Sequence, residues 1–436
     1  MRKIYILLIA LLSVPMFGQQ APKPRTGVRE EVKADWNKAS GLEGVYDLTE
    51  KKLSPAPKGY KPVYISHYGR HGSRYAYSEK AYSLILDLLK EGKSQDNLTA
   101  RGERLLSQME PFFNRAKYQI GELTPLGWQQ HAWIAKNMVH TFPSVFKKGS
   151  VVEARSSASV RAVMSMASFV ASVSREAPKA QVYAHQGTFD APATRPNLGV
   201  NPFRYKGPEY IFPYPESSEQ FFLRKFPGYE NVMARLFKDP RKALAGQNPY
   251  EVFFFLYMAV GSMNNTPVKY ETDGIFTPEE YAALWEIDNY DRFREYTKYQ
   301  TSCSSIIDDI VAKADSRISG KVRGADLRFG HDHVVMALLL LMDIDGFATV
   351  PDSNDDLVYW FQSFRSPKAA NLQFVFYAPK CKKENDILVK LLLNGEEVRF
   401  GSLETQSGPY YRWDTLKTYL IQRTVPFVTE KPAIPE

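Results

Sequence analysis

At 436 residues, 44% hydrophobic and 24% charged, the chain has an ordinary globular composition and enough length for a large core and two domains. Its formal charge of +8 is modest for that size and no dense Lys/Arg block occurs, so the balance fits a small anionic substrate better than a nucleic-acid scaffold. Neither Cys303 nor Cys381 has metal-ligand spacing, and in an oxidising compartment the two could pair once.

Residues 1–20 read as a secretory signal, with Arg2 and Lys3 as the basic start, an apolar run from Ile4 to about Met16, and small or polar residues after it. That run falls short of the ~18 uninterrupted apolar residues of a membrane span, and no later segment approaches them. No cysteine follows it, which argues against a lipid anchor. The expectation is a secreted or periplasmic protein that does not contact the membrane after signal removal.

Residues 22–60 are polar and rich in Pro, Gly and Lys, and read as an arm or edge segment. The β-prone run Val63-Tyr64-Ile65 then leads into Ser66-His67-Tyr68-Gly69-Arg70-His71-Gly72-Ser73-Arg74-Tyr75, a strand-to-loop turn. Two guanidiniums four residues apart suit a phosphoryl group, and a histidine held between them is a candidate covalent nucleophile. The alternative is a basic surface loop with an incidental histidine. Amphipathic helices are expected over Ala81–Lys90 and Thr99–Ala116. Thr124 and Pro125 then open a helix running to about Val139.

A strand over Val151–Ala154 precedes Arg155-Ser156-Ser157-Ala158-Ser159-Val160-Arg161 and a helical apolar pattern. Arg161 would lie in the first turn of that helix, where anions are favoured, unless it is a plain surface residue. Another strand is expected over Gln181–His185. Residues 191–320 change character and read as a mainly helical insertion, with a helix over Tyr250–Val260 and a capping box from Thr277 to Glu280. A strand then ends in Gly330-His331-Asp332-His333 and passes into the apolar run Val334–Met342, a buried helix. Polar groups at such a strand end sit where open α/β sheets bind ligands, although a helix cap would explain them equally. Leu372–Tyr377 and Leu388–Leu393 read as strands, and Asn394-Gly395 as a tight hairpin turn into Val398–Phe400.

Taken together, Arg70-His71-Gly72-x-Arg74, Leu123-Thr124-x-x-Gly127-x-x-Gln130, Arg155-Ser156-Ser157-x-x-x-Arg161 and His331-Asp332 resemble, in this order, the motifs of the histidine acid phosphatases. That branch of the histidine phosphatase superfamily includes phytases and multiple inositol polyphosphate phosphatases, which the tail at 391–411 also resembles. The family loop continues Arg-x-Pro, whereas Arg74-Tyr75-Ala76 lacks the proline. Many inositol polyphosphate phosphatases carry His-Ala-Glu where this chain has His331-Asp332-His333.

The resemblance implies a phosphoglycerate-mutase-like α/β fold, with a mostly parallel sheet flanked by helices. The core would span 21–190 and 321–436, and the helical domain 191–320. It also implies a phosphomonoesterase without cofactor or metal. His71 would form a phosphohistidine, Asp332 would be the general acid, and His331 would donate to the phosphoryl oxygens. Arg70, Arg74 and Arg161 would hold the phosphate, and His333 could share the acid role. Inositol polyphosphates are the expected substrates. A broad acid or sugar phosphatase is the alternative, and a phosphate-ester binding protein without turnover a further one.

Overall fold

The computed structural model describes residues 22–196, 204–206, 215–266, 274–380, 386–405, 407–425 and 428–430. The expected signal segment and Cys381 lie outside these residues, while Cys303 is buried.

The strands are β1 (Tyr60–Arg70), β2 (Val151–Ser156), β3 (Gln181–Gln186), β4 (Arg204–Lys206), β5 (Gly324–Gly330), β6 (Asn371–Pro379), β7 (Leu388–Leu393), β8 (Glu396–Val398), β9 (Tyr410–Arg412) and β10 (Val428–Glu430). The main sheet runs β3-β2-β5-β1-β6-β7-β8, with β9 on β7, and β4 pairs β10 separately. Pairing is parallel across β3-β2-β5-β1 and antiparallel from β1 through β6 to β7, so the α/β expectation is met with a parallel half and an antiparallel half. The hairpin from β7 to β8 turns on Asn394 and Gly395, both at positive φ (53° and 81°), the signature of a primed turn.

Both faces of the sheet are covered at its inner strands, as parallel strands require, while the edge strand β3 is largely exposed. Alternation along β1 sends Ile65 to one face and Tyr64 and Tyr68 to the other. The Ile65 face packs with Ala325, Leu327 and Phe329 of β5 against helices Pro125–Thr141 and Val160–Glu176, through Ile134, Met138 and Phe169. The Tyr64 face takes helix Asp332–Leu341, whose residues Val334–Leu341 are all buried.

Between β4 and β5 the described residues are mainly helical, with the long members Pro249–Met263, Pro278–Tyr296 and Gln300–Ser319. Their apolar side chains (Phe253, Tyr281 and Trp285 among them) join Phe374 and Phe376 of the sheet in one continuous core cluster. One expectation is corrected here. Residues 22–60 are only in part the expected arm or edge segment: 47–59 are irregular and without buried residues, but Val28–Ala34 and Trp36–Ala39 are helical, and Val28 and Val32 are fully buried. A single turn of apolar spacing inside a charged run left no periodic signal long enough to read.

Candidate active site

The carboxyl ends of two adjacent parallel strands bring the main residues together. Arg70 closes β1 opposite Gly330 of β5, so His71 and His331 emerge side by side. Their rings meet edge to face with centroids 5.6 Å apart. Both are buried, at 1% exposure each.

The loop carrying His71 is braced by the 123–130 motif. Thr124 caps helix Pro125–Thr141, and its Oγ1 donates to Ser73 O. Gln130 accepts from Ser73 N at 2.8 Å and donates to Ser73 Oγ at 2.9 Å. Gly72 and Gly127 pack backbone to backbone; a Cβ on Gly72 would lie 2.5 Å from Gly127 O. From the other side, Ser165 Oγ accepts from Gly72 N at 3.0 Å and donates to Arg161 O at 2.7 Å. One hydroxyl thus ties the loop to the first turn of the helix that carries Arg161.

His71 Nδ1 lies 3.0 Å from Gly72 O. A carbonyl can only accept, so Nδ1 carries the proton and the Nε2 lone pair is left free. Burial, together with Arg74, Arg161 and Arg70, holds the His71 imidazole well below its usual range, keeping it neutral. Burial and Arg195 lower His331 in the same way. His331 is further fixed by a 3.0 Å hydrogen bond between Nε2 and Ser157 Oγ, and it stacks on His333 at 5.4 Å.

His71, Arg74, Arg161, His331 and Asp332 line one cleft of about 550 Å³, with His333 beside them. Burial and Arg74 bring Arg161 down to about 10. Arg70 differs in placement. It is fully buried beneath the cleft, with Nη1 donating to Leu42 O and Ser366 O and Nη2 to Asp332 Oδ2 at 3.0 Å. Burial pushes the Asp332 carboxyl up, but Arg70, His333 and His71 together outweigh it and keep the acid well below the usual carboxylate range. The Nε atoms of Arg70, Arg74, Arg161 and Arg195 have no hydrogen-bond partner among the described residues. These are directional donors awaiting an acceptor.

Sequence reasoning missed Arg195, which lines the same cleft. It stands in an irregular stretch before Pro196, and no local pattern marks it. It also missed Glu43 and the wall built by helix Pro278–Tyr296, where Asp288, Asp291, Arg292 and Glu295 face the cleft. No group of three His, Cys, Asp or Glu side chains that could hold a metal ion occurs among the described residues. Nor is any described helix long and apolar enough to cross a membrane.

No family model and no curated protein matches the chain. Solved structures do. The apo multiple inositol polyphosphate phosphatase of Bifidobacterium longum aligns with a TM-score of 0.69 at 16% identity, covering 88% of this chain and 97% of its own. Its complex with phosphate gives 0.67 at 16% identity, with 89% and 98% coverage. The phytase of D. castellii gives 0.66 at 14% identity, with 89% and 85% coverage. At these identities the likeness is one of fold.

Proposed function

We propose that the chain is an exported phosphomonoesterase acting through a phosphohistidine on His71. One observation carries the reading: a buried neutral histidine with a free Nε2 faces a cleft in which unpartnered guanidinium donors converge. Nε2 attacks phosphorus in line, the P–O ester bond breaks, and the alcohol leaves with a proton from Asp332. Water then attacks the phosphohistidine, returns a proton to Asp332 and releases phosphate. Arg74, Arg161 and the free Nε of Arg70 hold the phosphoryl oxygens, His331 donates to them, and Arg195 adds a further cation. In the resting site Asp332 is a carboxylate, so its proton arrives with a monoanionic ester or is taken up when the phosphate charge enters. The core, 21–190 and 321–436, supplies all of this machinery except Arg195, and the helical insertion, 191–320, supplies Arg195 and a cleft wall.

His71→Ala should abolish turnover and leave phosphate-ester binding in place, because the arginines remain. Residual activity within about tenfold of wild type, ~1.4 kcal/mol of barrier, would remove His71 as nucleophile.

Inositol polyphosphates are the proposed substrates, supported by the basic balance of the chain and by what the fold neighbours are called. A second reading, a sugar or other single-phosphate ester, is favoured by the wall of helix Pro278–Tyr296. There Arg292 is engaged by Asp288 at 2.9 Å and Glu295 at 3.2 Å, which leaves an acidic surface for the rest of the ligand. Comparing kcat/KM for phytate, a hexose phosphate and an aryl phosphate decides between them. Phytate in last place would select the second reading, and no turnover of any would leave a binding protein. Amino-terminal sequencing of protein recovered outside the cytoplasm tests export, with cleavage near residue 20 expected.

A further inference from the structure

At the floor of the cleft, which Glu43 lines, Lys368 and Glu43 form a buried ion pair. Lys368 Nζ donates to Glu43 Oε1 at 2.7 Å, with the two side chains 0% and 6% exposed. The same Oε1 lies 3.7 Å from Arg74 Nη2, and Oε2 has no hydrogen-bond partner among the described residues. Burial pushes the Glu43 carboxyl up, but Lys368, Arg74 and Arg70 together hold it below the usual range, so it is ionised.

The two segments that carry this pair also grip the catalytic loop. Ser366 O and Leu42 O accept from Arg70 Nη1, Ala369 N donates to His71 O, and Arg70 N donates to Ala370 O. Lys368 N reaches Gly44 O, so the segments are already joined through backbone. An ammonium buried beside two guanidiniums is a poor way to reinforce that joint, since an apolar pair of similar volume would serve as well or better. The charges call for another role.

We infer that Lys368 is a positioning residue that acts through Glu43 on Arg74: by engaging the carboxylate, it leaves the Arg74 guanidinium available to the substrate phosphate. Arg74 donates from Nη1 to Tyr75 O at 2.8 Å, and its buried Nε has no hydrogen-bond partner among the described residues. Without Lys368 the Glu43 carboxylate would have Arg74 as its nearest counter-ion and would draw it down from the cleft. Even beside Glu43, burial and the guanidiniums of Arg70 and Arg74 hold Lys368 well below the usual lysine range; without Glu43 nothing in the pair favours its charge, so it is left as a neutral amine and no carboxylate competes for Arg74.

The inference rests on the reading of Arg74 as a phosphate ligand, and the test separates the two. Inorganic phosphate is titrated calorimetrically into wild type and variants, with KM and kcat measured on an aryl phosphate. If wild type binds phosphate and Arg74→Ala weakens it, the ligand reading stands. Lys368→Met should then weaken phosphate at least tenfold and raise KM more than it lowers kcat. Glu43→Gln should bind phosphate no more weakly than wild type. The double variant Glu43→Gln/Lys368→Met should return to within about threefold of wild type. A merely structural pair would give losses in both single variants and no recovery in the double. Either that pattern or wild-type affinity in Lys368→Met overturns the inference. If Lys368→Met does not fold, Glu43→Gln and the double variant still decide, because weakened phosphate binding in either contradicts it.

Discussion

With its Nδ1 proton committed to Gly72 O, His71 has one lone pair to offer, and the arginines around it make protonation of that nitrogen unfavourable. The pH consequence follows from the sign of the shift. A histidine lowered below 6.5 stays neutral as pH falls through the ordinary imidazole range, so kcat/KM should show no loss centred near 6.5. A pH–rate profile with an acid limb there would mean that His71, the proposed nucleophile, is not shielded. Asp332 poses the complementary question, because an acid held by Arg70 must first gain its proton. An alkyl leaving group needs that proton far more than an aryl one. Asp332→Asn should therefore reduce turnover of a hexose phosphate by a hundredfold or more, in the range typical of a lost general acid, and spare p-nitrophenyl phosphate by comparison. His333, whose Nδ1 sits 3.5 Å from Asp332 Oδ1 and whose ring stacks on His331, is the other candidate. If His333→Ala gave the leaving-group-dependent loss and Asp332→Asn did not, the roles would be reversed.

At the scale of elements, the site is a strand-end loop held between two helices. Helix Pro125–Thr141 grips it through Thr124, Gly127 and Gln130, and helix Val160–Glu176 through Ser165. The Gly127 contact leaves no room for a side chain: its added Cβ would lie 2.3 Å from Ser73 O. Gly127→Ala should displace the loop and lower kcat by more than tenfold, with a falling Tm; unchanged kinetics would show that the loop adapts. Ser165→Ala leaves the buried Gly72 N–H without its acceptor, a loss of about 1–3 kcal/mol, and should lower the urea midpoint accordingly. The missing proline after Arg74 is offset in part by this bracing, since Arg74 also bridges to Leu123.

For the whole molecule, acid stability is the informative quantity. His67 and His131 are buried against Phe169 and Phe329, and burial lowers each to about 3. The unfolded chain takes up protons on both as pH falls below about 6.5, while the folded chain does not until about 3. The stability present above 6.5 is therefore lost across that window, by roughly 3 kcal/mol per histidine at pH 4. His71 and His331 shift in the same direction. Thermal unfolding followed from pH 7 to 4 should show Tm falling steeply, and less steeply in His131→Phe. A flat profile would mean that these imidazoles are protonated in the fold.

The short-range pattern determined which residues form strands, caps and turns, because alternation, helical spacing and positive-φ turn chemistry act over a few neighbours. Tyr64 and Ile65 on opposite faces of β1, the Thr124 cap and the Asn394-Gly395 turn are of this kind. The exit of Arg70-His71 and His331-Asp332 from strand ends came with it, and the α/β class came with the resemblance that these motifs carry. Charge pairing between distant segments did not. Lys368 meets Glu43 across 325 positions, and Arg70 meets Asp332 across 262. Nothing local announces that one arginine of the loop turns under the cleft while another lines it. The helices at Val28–Ala34 and Trp36–Ala39 are too short to show a period, and they hold their shape by packing on helix Pro278–Tyr296. Desolvation, which keeps His71 neutral, and the charges that hold Asp332 ionised against it are properties of what surrounds a group in space, so the tertiary structure alone decided them.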